Sequence, residues 1–149
     1  MNTETVISPS PEWTEAYAAR LAAQTPGGAV FALYGNLGAG KSVFARGFAR
    51  GLGITEPVTS PTFALVQEYP CPGGRLFVHA DMYRIGDPLE VAGTGLEDHL
   101  FALETITLVE WAERIEDCLI PDRPDAHLIR VTLQQTAPHE RTLTIQRPG

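Results

Sequence analysis

The chain has 149 residues, of which 44% are hydrophobic and 19% are charged. This length predicts one compact domain, residues 1–149, and the hydrophobic content excludes a wholly disordered chain. The 11 basic and 18 acidic residues give a net charge of −7, which argues against a surface that binds nucleic acid by itself. Any contact with nucleic acid would then be made through a partner.

Targeting and redox features of the sequence favour a cytoplasmic protein without membrane contact. The apolar runs fall short of the ~20 residues needed to span a bilayer. The N-terminal residues lack the basic cluster and apolar core of a secretory signal. Cys71 and Cys118 form neither a CxxC pair nor a metal cluster with the histidines, so we expect two reduced thiols.

The first half of the chain predicts two helices around a buried strand. Ser10, Pro11 and Glu12 are typical of a helix start, which makes a helix the first predicted element. The apolar run 29–34 predicts a buried strand, and residues 41–52 predict a helix after a glycine-rich turn. Residues 55–62 are rich in proline and hydroxyl side chains and predict a loop.

The second half of the chain predicts most of a sheet. Residues 63–69 and 75–80 predict two strands joined as a hairpin, and residues 105–109 predict another strand. Asp87 and Glu90 predict a capped helix start, and a short turn follows at 96–101. Residues 111–118 predict a helix of at most two turns. Residues 127–134 and 141–146 alternate apolar and polar, which predicts a closing antiparallel pair. Together these elements predict an α/β fold with a mixed central sheet flanked by helices.

Residues 35–42, GNLGAGKS, match the phosphate-binding pattern GxxxxGK[ST] between a predicted strand and a predicted helix. Glycines let backbone N–H groups approach phosphate oxygens, and the helix directs its positive end at the same anion. Lys41 can bridge the β- and γ-phosphates, and Ser42 supplies a hydroxyl for Mg²⁺. The predicted ATP-binding residues are Gly35, Asn36, Leu37, Gly38, Ala39, Gly40, Lys41, Ser42 and Val43.

Two acidic residues end predicted strands and are candidates for catalysis. Asp81 follows one apolar run and Glu110 follows another. Ligands of open α/β sheets bind at the carboxyl ends of the strands, so both acids can face the phosphates. A salt bridge with Arg84 or Arg114, or a role in capping the sheet edge, is the structural alternative. The sequence lacks the Asn/Thr-Lys-x-Asp element that reads guanine, which favours ATP over GTP.

Four sequence elements, taken in order, resemble the TsaE family of bacterial ATPases. They are LYGNLGAGKS at 33–42, SPTF at 60–63, HADMYR at 79–84 and VEW at 109–111. The resemblance implies an ATPase that acts with TsaB and TsaD in forming N6-threonylcarbamoyladenosine in tRNAs that read ANN codons. It also implies that hydrolysis resets the TsaB–TsaD assembly between cycles, while those partners hold the tRNA.

The resemblance also implies roles for individual residues. Lys41, Asp81 and Glu110 would be catalytic, with Ser42 and Glu110 at the Mg²⁺. Asp81 would position or activate the attacking water, unless Glu110 takes that role. Thr62 would belong to a switch segment that senses the γ-phosphate, although an ordinary turn hydroxyl is the alternative. Trp111 would pack over the nucleotide or face the partner, unless it is a core aromatic. Thr14 would lie near the nucleotide base.

Two other functions remain compatible with the phosphate-binding loop. A small-molecule kinase also uses this loop, but the length leaves little room for an acceptor site and a lid. A GTPase-like switch is disfavoured because the guanine-reading element is missing from the sequence. A phosphorylated product would indicate the kinase, and a preference for GTP would indicate the switch.

Overall fold

The computed structural model describes residues 2–36, 38–58, 66–121, 123–124 and 126–148. The strands are β1 Asn2–Ser8, β2 Val30–Tyr34, β3 Val66–Pro70, β4 Leu76–Asp81, β5 Thr105–Glu110, β6 Leu128–Ala137 and β7 Glu140–Arg147. They form a seven-stranded sheet in the order β1-β7-β6-β2-β5-β4-β3. The α-helices are α1 Pro11–Ala23 and α2 Lys41–Gly51, and 3₁₀ segments span Pro88–Gly93, Leu96–Asp98 and Ala112–Cys118.

The centre of the sheet is parallel and its flanks are antiparallel. β2 lies parallel between β5 and β6, and β4 lies parallel to β5. β3 pairs antiparallel with β4, and β7 pairs antiparallel with both β6 and β1. The predicted mixed α/β sheet is confirmed. Because β2, β5 and β4 run in the same direction, their carboxyl ends meet at one edge of the sheet.

Each face of the sheet carries its own core, because side chains of a strand alternate between the faces. Phe31 and Leu33 of β2 pack with α1 and α2, whereas Val30 and Ala32 pack with the 3₁₀ segments on the opposite face. All of these β2 side chains are almost fully buried, as expected for a central strand. No helix within the described residues is both long and apolar enough to cross a membrane.

The two α-helices approach each other closely through glycine. A Cβ atom added at Gly47 would lie 2.3 Å from the Glu15 carbonyl oxygen of α1. One added at Gly51 would lie 2.2 Å from the Ala19 carbonyl oxygen. Any larger residue at either position would therefore push α1 away from α2. This contact fixes α1 against the helix that follows the phosphate-binding loop.

The first predicted element was wrong, because β1 precedes α1. Residues 2–8 pair in register with β7 along the whole of β1. Five of its seven residues are exposed, so the segment lacks the apolar alternation by which a half-buried strand is recognised. The start of α1 is as predicted, since the Ser10 hydroxyl accepts a hydrogen bond from the Trp13 N–H at 3.1 Å.

The later elements follow the predictions closely. Asp87 and Glu90 form the predicted capping box, with the Asp87 N–H donating to Glu90 Oε1 at 3.2 Å. The short helix predicted at 111–118 is a 3₁₀ segment at Ala112–Cys118, interrupted at Ile115, whose φ is −133°. The closing pair is β6 and β7, paired antiparallel. The first part of the predicted strand 63–69, residues 63–65, lies outside the described residues.

Candidate nucleotide site

The glycine-rich loop runs from the carboxyl end of β2 to the first residue of α2. Gly35, Gly38 and Gly40 have φ angles of 151°, 82° and 102°, a region that favours glycine. A Cβ atom at Gly35 would also lie 2.6 Å from the Leu133 carbonyl oxygen. Gly40 caps α2 without a side-chain hydrogen bond, so the first N–H groups of the helix remain available to an anion. Leu37 lies outside the described residues.

Lys41 is the first residue of α2 and is 5% exposed. Its Nζ donates a hydrogen bond to the Gly35 carbonyl and lies 3.3 Å from the centroid of the Trp111 ring. Burial lowers the pKa of this ammonium group, while the nearby Glu113, Glu110 and Asp81 oppose the shift. The ammonium is therefore held at the loop by one carbonyl and one aromatic face.

Asp81 and Glu110 end neighbouring parallel strands and lie opposite each other in the register of β4 and β5. The Asp81 carboxylate accepts a hydrogen bond from the Tyr83 N–H at 3.0 Å. Burial raises the pKa of Asp81, and the Glu110 charge adds to the shift, whereas the Tyr83 N–H, His79 and Lys41 oppose it. Two carboxylates thus stand side by side next to the loop, as predicted.

Glu110 is held by a histidine. Glu110 Oε2 lies 2.6 Å from His79 Nε2, and both side chains are less than 5% exposed. The His79 ring stacks on Phe77, with 6.4 Å between centroids and 7° between planes. Glu110 therefore pairs with His79 rather than with the arginines considered as structural partners. His79 precedes Asp81 by two positions on β4, so strand alternation alone places both side chains on one face.

Trp111 covers the site from a strained turn. It follows β5 directly and has a φ of 59°, which is unusual for a residue other than glycine. Its ring contacts Tyr83, with centroids 4.9 Å apart, and the Arg114 guanidinium carbon lies 5.9 Å from its centroid. Trp111 is half-buried beside Lys41. The ring therefore contacts Lys41 at the end of the loop, and the residue also packs at the border of the hydrophobic core on the 3₁₀ face of the sheet.

These groups share one cavity of about 410 Å³ at the carboxyl edge of the sheet. The residues that line it are Gly38, Gly40, Lys41, Ser42, Val43, Asp81, Tyr83, Glu110, Trp111 and Arg141. The predicted residues Lys41, Ser42, Asp81, Glu110 and Trp111 are therefore brought together. Arg141 was not predicted, because nothing in the alternating pattern of β7 distinguishes it from the other polar residues of that strand.

A smaller cavity of about 120 Å³ adjoins the first through Gly40, Val43 and Arg141. Ser10, Pro11 and Thr14 line its α1 side, and Pro138 and His139 line its hairpin side. The Thr14 hydroxyl lies 2.6 Å from the Ser8 hydroxyl and is almost fully buried. Thr14 therefore lines the smaller cavity beside the loop. Its position near a nucleotide base stays a prediction, and Thr62 lies outside the described residues.

The oxygen donors at this cavity suit Mg²⁺ only if a ligand completes the shell. No cluster of three or more His, Cys, Asp or Glu side chains in the described part of the chain could hold a metal by itself. The Ser42 hydroxyl and the Glu110 and Asp81 carboxylates line the same cavity. Mg²⁺ is commonly bound by one or two carboxylates together with substrate phosphates and water, and this donor set fits that pattern.

The strand, glycine-rich loop and helix, with two acids on neighbouring parallel strands, define a P-loop nucleotide-binding protein. The family model for "Threonylcarbamoyl adenosine biosynthesis protein TsaE" matches residues 8–143. The chain belongs to this family, whose role is in tRNA threonylcarbamoyladenosine biosynthesis.

Individual relatives agree with the family assignment. A Bacillus subtilis protein named for TsaE is 39% identical over 140 residues, covering 94% of this chain and 83% of its own length. A Haemophilus influenzae protein of the same name is 39% identical over 97 residues, covering 65% of this chain and 58% of its own length. The crystal structure of YdiB from Bacillus subtilis has a TM-score of 0.79 at 32% identity, covering 99% of this chain and 87% of that one.

The buried His79–Glu110 pair should contribute strongly to stability. We expect His79→Ala to lower the free energy of unfolding by about 3 kcal/mol, because it leaves a buried carboxylate without its partner. The control is His99→Ala, which removes a pair with Glu68 at 3.4 Å that is partly exposed. His99→Ala should lower the free energy of unfolding by no more than about 1 kcal/mol. Urea unfolding measures both, and equal losses would contradict the role given to His79.

Proposed function

We propose that this protein binds ATP together with Mg²⁺ and hydrolyses it to ADP and phosphate. The observation that carries the proposal is the shared cavity, in which Lys41, Ser42, Asp81 and Glu110 meet at the end of the parallel strands. The phosphate-binding loop alone would support binding only. Two carboxylates beside it supply the further groups that phosphoryl transfer requires.

Each residue of the site has a role in the proposed reaction. Lys41 exchanges the Gly35 carbonyl and the Trp111 face for oxygens of the β- and γ-phosphates. Ser42 and Glu110 would hold Mg²⁺, and the ion would supply positive charge to neutralise the charge that develops on those oxygens. Asp81 orients a water molecule for attack on the γ-phosphorus. As the water oxygen bonds to that phosphorus, the bond to the bridging β–γ oxygen breaks, ADP leaves, and one proton of the water passes to an oxygen of the released phosphate. His79 keeps the Glu110 carboxylate in one orientation through the 2.6 Å contact.

The nucleoside would occupy the smaller cavity beside α1. This cavity shares Gly40 and Val43 with the phosphate site, so a nucleotide can extend from one cavity into the other. Thr14 would contribute to the base end of the site. The absence of a guanine-reading tetrapeptide from the sequence favours adenine.

We also propose that this activity serves the TsaB–TsaD assembly in the cytoplasm. The names of the relatives support a part in tRNA threonylcarbamoyladenosine biosynthesis. The net charge of −7 favours a subunit that leaves the tRNA to its partners. ATP hydrolysis would reset the assembly between cycles, with Thr62 in a segment that senses the γ-phosphate.

Substitutions at Lys41 and Glu110 should separate binding from hydrolysis. We expect Lys41→Ala to raise the Kd for ATP by about tenfold or more, because a charged phosphate contact is lost. Glu110→Gln, which keeps the shape of the side chain, should lower Mg²⁺-dependent turnover by about 100-fold and affect the Kd much less. The control is Glu104→Ala, which removes an exposed acid. Glu104 precedes the first residue of β5, at the end of that strand opposite to Glu110. Hydrolysis by Glu110→Gln at the unsubstituted rate would show that the metal assignment is wrong.

Phosphate release from ATP tests the partnership. With Mg²⁺ present, we expect slow release by the purified protein and faster release after TsaB and TsaD are added, because the partners would complete the site. An unchanged rate would contradict the proposal. The appearance of a phosphorylated small molecule in place of free phosphate would instead indicate a kinase.

A further inference from the structure

Arg141 extends from β7 to the phosphate-binding loop. Its Nη2 donates a hydrogen bond to the Gly38 carbonyl at 3.1 Å, and its Nη1 donates to the Glu140 carbonyl at 3.1 Å. The side chain lines both the phosphate cavity and the smaller cavity beside α1. A cation therefore stands at the junction of the two cavities, on an element far from the loop in sequence.

The charge of Arg141 is not matched by an acid in the described part of the chain. No carboxylate there lies within 4.0 Å of its guanidinium. By contrast, the other arginine of β7, Arg147, pairs with Glu4 at 3.8 Å. Both hydrogen bonds of Arg141 go to neutral carbonyls, and they use only part of its donor set. Such a guanidinium retains the capacity to bind an anion.

A nucleotide polyphosphate carries more negative charge than Lys41 alone can balance. Asp81 and Glu110 line the same cavity and add further negative charge there. The planar fork of arginine matches phosphate oxygens and forms charge-assisted hydrogen bonds to them. A second cation at the cavity junction would therefore stabilise a bound nucleotide where its ribose meets its first phosphates.

We propose that Arg141 is a nucleotide-binding residue whose guanidinium leaves the Gly38 carbonyl and pairs with the α- or β-phosphate of the bound nucleotide. The assignment to these phosphates follows from the position of Arg141 between the two cavities, which share it with Gly40 and Val43. Because ADP and ATP have both of these phosphates, Arg141 holds the nucleotide rather than senses its γ-phosphate. This inference rests on the proposed function of the same site.

The test compares three substitutions at one position by titration calorimetry with ADP and with ATP. Arg141→Ala should raise the Kd for both nucleotides by about tenfold or more. Arg141→Gln retains an N–H donor for the Gly38 carbonyl but has no charge, so it should bind as weakly as Arg141→Ala. Arg141→Lys keeps the positive charge but lacks the planar guanidinium group, so its Kd for both nucleotides should lie between those of the unsubstituted protein and Arg141→Ala. Arg147→Ala, which removes the same charge from the same strand, should bind both nucleotides as the unsubstituted protein does.

The outcomes separate this inference from the proposed function. Normal binding by Arg141→Gln together with weak binding by Arg141→Ala would show that Arg141 acts only through its hydrogen bond to the Gly38 carbonyl of the loop. That result would overturn the inference. Weakened ATP binding with unchanged ADP binding would overturn the assignment to the α- or β-phosphate. Normal binding by all three variants would overturn the inference while leaving the nucleotide site intact. Failure of the unsubstituted protein and of Arg147→Ala to bind either nucleotide would instead overturn the proposed function, and this inference with it.

Discussion

The site depends on the parallel pairing of β2, β5 and β4. In parallel strands the carboxyl ends share one edge, so the loop after β2 meets the acids at the ends of β5 and β4. The register places Asp81 directly opposite Glu110. A shift of one residue would turn the side chains of a whole strand to the other face. The cores on both faces of the sheet therefore fix the relative positions of the phosphate-binding and acidic groups.

Two ionisable side chains, the buried Lys41 and the half-buried Asp81, lie at this edge of the sheet, and burial shifts the pKa values of both. Burial disfavours the charged forms of both Lys41 and Asp81, and these two groups partly offset each other. Lys41 is held on the Gly35 carbonyl and the Trp111 ring, which are weaker partners for an ammonium than a phosphate is. In the proposed function, a bound phosphate would replace these two internal contacts. The 2.6 Å contact with His79 fixes the position of the Glu110 carboxylate at the same edge.

Motifs with a local physical cause were predictable from the sequence. The glycine-rich loop, the capping box at Asp87 and the acids at the ends of apolar strands each depend on neighbouring residues, and the structure contains all of them. β1 was missed because its residues are mostly exposed and its pairing with β7 is distant in sequence. The positions of Arg141 and of the His79–Glu110 pair also depend on tertiary contacts, which no local pattern encodes.

The most direct test of the proposed nucleotide site is a crystal structure of the protein with Mg²⁺ and a non-hydrolysable ATP analogue. We expect Lys41 Nζ to leave the Trp111 ring and to donate hydrogen bonds to oxygens of the β- and γ-phosphates, with Ser42 and Glu110 at the metal. The proposed site would be contradicted if the analogue bound elsewhere. It would also be contradicted if Lys41 still donated its hydrogen bond to the Gly35 carbonyl beside a bound analogue.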